Sequence, residues 1–178
     1  MKTKTFIMLI TSFILFQMSV YAQKGYADKV NQLNSNGQKE GLWIDRDTQN
    51  DKCYSYYKNG VQNGVNWCVD KAKNLISSFG EYSNGEHSGT WYYFGDYGHL
   101  MMIQKDFQPN TYETPLEHHA QGICPYRCYC IEYYPNGNKE SEGILLWDIS
   151  PQSDFTFEYG EWKYYNEDGT LKETKVFK

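Results

Sequence analysis

The chain has 178 residues, 17 basic and 22 acidic, and 17% of it is aromatic. A formal net charge of −5 argues against a nucleic-acid partner, because neutralising phosphates takes a cationic surface. The length fits one domain with a real core rather than two.

Residues 1–22 read as a cleavable export signal. Lys2 and Lys4 precede an apolar run from Phe6 to Phe16, broken only by Thr11 and Ser12, and Val20-Tyr21-Ala22 ends in the small residue that signal peptidase requires. The run falls short of the roughly 20 apolar residues that span a bilayer, so it is not read as a membrane anchor. No Cys ends it, so no lipid-modified cysteine is offered. Cleavage after Ala22 would leave 15 of the 17 basic residues against all 22 acidic ones, a charge of about −7. All five Cys stay in the exported part. Outside the cytosol thiols tend to pair, and an odd count leaves one over. Residues 23–35 form a lead-in with at most a turn or two of helix at residues 26–33.

From residue 36 onward a phrase recurs. Asn36-Gly37 is followed by Gly41 and Trp43, Asn59-Gly60 by Gly64 and Trp67, and Asn84-Gly85 by Gly89 and Trp91. Seven residues after Trp43, Trp67, Trp91 and Trp162 stand Asn50, Asn74, Gly98 and Gly169, residues that tolerate the positive φ of tight turns. Between turns lie short aromatic and β-branched segments, at residues 54–57, 91–94 and 162–165, suited to a half-buried pleated surface. The pattern predicts an all-β antiparallel meander of repeated hairpins, an open sheet or solenoid over residues 36–178, with turns at 36–37, 59–60, 84–85, 136–137 and 168–169.

Within this pattern Cys53 and Cys68 flank the second hairpin, and their numbers sum to the same value as those of Tyr57 and Gly64. That register puts the two Cβ atoms opposite one another and predicts a disulfide. It would close a loop of about 16 residues, worth on the order of 3 kcal/mol.

The segment Gly89-Thr90-Trp91-Tyr92-Tyr93-Phe94-Gly95-Asp96-Tyr97-Gly98-His99 is similar to the choline-binding repeats of cell-wall-attached proteins, in which aromatic rings cage a quaternary ammonium. That likeness makes Trp91 and Tyr93 candidate binding residues. The competing reading is that they alternate into the core of a hairpin.

Residues 107–126 break the repeat. Pro109, Pro115 and Pro125 resist strand pairing, and Tyr112, His118 and His119 offer binding groups on a loop carried by a rigid sheet. His118 or His119 with Cys124, Cys128 and Cys130 could supply four zinc ligands, but the usual C-x2-C spacing is missing. Pairing of Cys124 with Cys128 or Cys130 is the expected alternative, with one thiol left over. A Cys/His nucleophile there would need an activating environment that a sequence does not display. Acidic residues such as Asp45, Asp47, Asp51, Glu167 and Asp168 sit beside turns, as solvated turn formers do. Neither a phosphate-binding loop nor a G-x-S-x-G motif occurs. The chain therefore reads as non-enzymatic, with no cofactor or metal.

The segments Tyr133-Tyr134-Pro135-Asn136-Gly137-Asn138-Lys139-Glu140-Ser141-Glu142-Gly143 and Gly160-Glu161-Trp162-Lys163-Tyr164-Tyr165-Asn166-Glu167-Asp168-Gly169-Thr170-Leu171-Lys172-Glu173 resemble the variant MORN (membrane occupation and recognition nexus) repeat of bacterial exported proteins. The resemblance covers residues 36–173 and is degenerate at 107–124. It implies a hairpin ladder, no catalytic residue, and binding to a protein or an envelope component in the periplasm, at the cell surface or in the medium. A carbohydrate or cell-wall ligand module using exposed aromatics is the alternative from another class, and a secreted enzyme or zinc protein using the His118/His119/Cys124 segment is the third.

Overall fold

Turn chemistry decides where this chain reverses. In the computed structural model, which describes residues 30–112, 124–147 and 156–178, Asn59-Gly60 and Asn84-Gly85 form two-residue turns with positive φ at both positions, 50° and 81° in the first and 52° and 85° in the second. That mirror-image turn matches the right-handed twist of the strands it joins. Asn36-Gly37 serves a different turn: Asn34 N–H donates to Gln38 O at 2.8 Å, and Gly37 N–H donates to Asn34 O at 3.0 Å. The same two bonds close turns 134–138 and 166–170 around Gly137 and Gly169. All five expected turns are thus formed, by two different mechanisms.

Between the turns run 11 strands: β1 (Gln32–Leu33), β2 (Lys39–Asp47), β3 (Asp51–Lys58), β4 (Val61–Asp70), β5 (Leu75–Ser83), β6 (Glu86–Phe94), β7 (Leu100–Pro109), β8 (Tyr126–Tyr133), β9 (Lys139–Trp147), β10 (Thr156–Tyr165) and β11 (Leu171–Phe177). They form one open antiparallel sheet in strict sequence order, and the described residues contain no helix. At 32–33, where the sequence allows at most a turn or two of helix, the chain makes the short strand β1 instead. Residues 1–22, with the expected export signal, lie outside the described residues.

The second glycine of the repeat phrase is a bulge. In the β3–β4 hairpin, Tyr57 pairs with Gln62 next to the turn, while Ser55 pairs with Asn66 beyond it, so one residue of β3 faces three of β4. Gly64 takes φ 116° there. The same offset recurs where Phe79 pairs with Tyr92 but Glu81 with Ser88, and where Tyr159 pairs with Ile144 but Lys163 with Glu142. An offset of two residues keeps every side chain on its face, whereas a slip of one would turn the apolar set outward.

The bulges build the core. Trp91 and Trp162 follow bulged glycines by two residues, and each indole lies across the neighbouring strand at a glycine, Gly80 and Gly143 respectively, where an added methyl would overlap the ring. Each indole N–H donates to a backbone carbonyl of that strand, Trp91 to Glu81 O at 3.0 Å and Trp162 to Ile144 O at 2.8 Å. Trp91 is 3% exposed and Trp162 1%. Cross-strand pairing carries this row along one face, from Trp43 through Ser55 and Asn66 to Gly80, and from Trp91 through Gln104 and Cys130 to Gly143. We call it the tryptophan face. Cys128, Cys130, Leu145 and Trp162 form its most buried cluster, with Met102, Phe107, Trp147, Tyr164 and Phe177 packed around them.

Two departures from the sequence pattern follow. Trp67 stands three residues after its glycine, so it points to the opposite face, and Asn66 takes the tryptophan's place. Asn66 donates to Ser55 Oγ at 2.6 Å, and both side chains are buried. The irregular segment also begins later than its prolines suggest, because β7 runs through Phe107 and Gln108 to Pro109, which pairs with Tyr126. As the last residue of the strand, Pro109 costs the ladder little.

Candidate functional site

The candidates in the sequence are the cysteines, Trp91 and Tyr93, and the group around Tyr112, His118 and His119. The disulfide joins Cys53 to Cys68, which are direct cross-strand partners on the tryptophan face. Cys128 and Cys130 are buried thiols rather than halves of a second bridge. Two positions apart on β8, they point the same way into the core and cannot meet each other. Burial pushes the Cys128 thiol up to about 12 and the Cys130 thiol higher still, so neither has the thiolate character of a nucleophile. Cys124 is buried too, and its backbone carbonyl accepts from Asn110 Nδ2 at 2.7 Å. His118 and His119 lie outside the described residues. Among the described residues no three His, Cys, Asp or Glu side chains converge as a metal site requires.

Trp91 belongs to the core, and Tyr93 is half-buried beside it. The Trp91 ring is enclosed by Tyr82, His87 and Tyr93, with centroids 5.1, 4.2 and 6.3 Å away, and Tyr93 OH donates to Gln104 Oε1 at 3.0 Å. No ring face of Trp91 is left for a cage. His87 holds this region together, since it also meets Phe107 at 5.4 Å and Trp147 at 4.8 Å. Trp147 is three strands away in the ladder, about 14 Å along a flat sheet. The contact therefore shows that the tryptophan face is concave between β6 and β9. Burial lowers the His87 pKa to about 4, which keeps the imidazole neutral. The cleft beside it, lined by Glu86, Phe107 and Tyr126 among others, encloses about 60 Å³. A small-molecule site usually needs roughly 300 Å³ or more.

Tyr112 packs on the opposite face. Its ring stacks on Tyr159 at 4.5 Å, and its hydroxyl accepts from Arg127 Nη1 at 2.8 Å. Asn110 N–H donates to Pro125 O at 2.7 Å, closing the base of the irregular segment. On this face, over β8 to β10, Leu146 is fully buried.

Farther toward β2 the opposite face carries an apolar row that the repeat phrase does not reveal. Ile44 pairs with Tyr54, Tyr54 with Trp67, Trp67 with Phe79, Phe79 with Tyr92, and Tyr92 with Ile103. Direct partners share a face, so these six side chains make a continuous stripe across β2 to β7, about 24 Å long. Phe79 at its middle is 38% exposed, and Ile76, on the same face through its pairing with Val69, is 47% exposed. Within the stripe Trp67 stacks on Tyr54 at 4.8 Å and 14°. Period-two reading of each strand against its neighbour could have found the stripe, but only with the bulges counted. No helix among the described residues is long and apolar enough to cross a membrane. No family model, curated protein or solved structure matches the chain.

Proposed function

We propose that this is an exported, non-enzymatic binding module of the MORN-like kind, and that it docks a protein through the stripe Ile44, Tyr54, Trp67, Phe79, Tyr92 and Ile103. The observation that carries this reading is the uninterrupted run of aromatic and aliphatic side chains across six strands, with exposed Phe79 at its centre. A large apolar patch maintained on the surface of a soluble domain marks an interaction site. Mixed aromatic and aliphatic character is that of a protein interface core. A glycan platform presents free ring faces, whereas Trp67 has a face stacked on Tyr54. Export is supported by the Cys53–Cys68 bridge, which persists in oxidising compartments.

The test is affinity capture from the native cell envelope with wild-type protein and with F79D, which places a charge in the stripe without touching the tryptophan face. A protein retained by the wild type and lost with F79D supports the reading. Equal recovery by both, or binding of glycans with no protein captured, overturns it.

A further inference from the structure

An open sheet has two edges, and this one treats them differently. At the β2 edge the short strand β1 and Asn31 intervene: Asn31 N–H donates to Leu42 O at 2.9 Å, Asn31 Oδ1 accepts from Ile44 N–H at 2.8 Å, and Trp43 Nε1 donates to Gln32 O at 3.0 Å. That edge is plugged. At the other end β11 pairs with β10 alone among the described residues, and half of its backbone N–H and C=O groups face outward over seven residues. Leu171 and Val176 on this strand are 57% and 66% exposed. An open edge with exposed apolar side chains is a template for another strand.

We propose that the outer edge of β11 is a self-association surface, on which a second copy of the chain pairs its own β11 antiparallel across a two-fold axis at Thr174. The sequence of the strand selects this register. Side chains directly opposite in one continuous sheet share a face, so residues of the same parity must meet. Glu173, Lys175 and Phe177 lie on the tryptophan face, through Glu173 pairing with Tyr164, Lys175 with Trp162 and Phe177 with Gly160. An axis at Glu173 would set two carboxylates against each other, and an axis at Lys175 two ammonium groups. With the axis at Thr174, Glu173 faces Lys175 of the other copy twice, whereas Leu171 lies beyond a bulge at Lys172, pairs with Tyr165 on the other face and takes no part in this register. Opposite-charge cross-strand pairs stabilise a ladder, while like charges directly opposite destabilise it. The interface is isologous and closes at two copies, because each molecule has one open edge among the described residues. This inference is independent of the stripe, which keeps its position in each copy.

The experiment uses the full exported chain, with mass measured by sedimentation over a range of protein concentration. A concentration-dependent dimer is expected. E173K and K175E each replace the two attractive pairs with repulsive ones, and each alone should be monomeric. Mixed together, they restore Lys opposite Glu at both positions, and the dimer should return. T174C should be joined to its own copy by a short bifunctional thiol reagent, whereas V176C alone should not be, since the two copies of Val176 each lie two residues from the axis, on opposite sides of it. A wild type that stays monomeric at every concentration overturns the proposal. So does an equimolar mixture that fails to restore the dimer, or V176C cross-linking as fast as T174C.

Discussion

At the scale of single residues, the glycines under the two buried indoles are the least replaceable positions. Gly143 lies against the Trp162 ring, so Gly143→Ala forces ring or backbone to shift, and overpacking of this kind costs about 1–3 kcal/mol. Urea denaturation should show a lowered midpoint with unchanged slope. His87 gives a second prediction. Its folded pKa, about 4, lies below the unfolded value near 6.5, so the unfolded chain binds the extra proton between these limits. Stability should therefore be full above about pH 6.5 and fall as pH drops toward 4, by roughly 2–3 kcal/mol in total. H87F should remove this part of the pH dependence, read as a flat unfolding free energy across the window. Neither role is legible in the sequence. A lone His after Asn84-Gly85-Glu86 carries no mark of the aromatic rings that reach it from β7 and β9, because those contacts depend on how strongly the sheet curves.

Among the elements, the β3–β4 hairpin shows most clearly how pattern and structure relate. A two-residue turn at Asn59-Gly60 continued without interruption would place Cys53 opposite Asn66 and leave the cysteines apart. The extra residues at the Gly64 bulge bring Cys68 into line, so the disulfide that the residue numbers suggest depends on a feature they do not contain. The replacement pair C53A/C68A should lose on the order of 3 kcal/mol relative to the oxidised protein, with the β-sheet circular dichroism retained. Turn positions and strand spans were legible because Asn-Gly, Asp-Gly and alternating aromatics act locally. The apolar stripe was not, since it exists only across strands. Trp67 illustrates the difference, being one residue out of phase with Trp43, Trp91 and Trp162 and so a stripe residue rather than a core one.

For the whole molecule, stability is unevenly distributed along the ladder. The most buried cluster spans β8 to β10, whereas β11 is exposed over most of its length and β1 has two residues. Native-state hydrogen exchange should show the strongest protection at Cys128 to Ile131 and Ile144 to Leu146, and the weakest in β1 and, at protein concentrations too low for the dimer, in β11. Fold class and strand order could be read from the repeat, while the curvature that makes one face concave could not, since it is set by bulges whose offset is invisible until strands are paired. Strict neighbour-to-neighbour pairing also bears on how the chain is made. Among the described residues no strand waits for a partner that is synthesised much later, so a polypeptide emerging N-terminus first from a narrow conduit can add each new strand to the finished edge behind it. Assembly then proceeds as a moving front, and only the newest strand is unprotected at any moment.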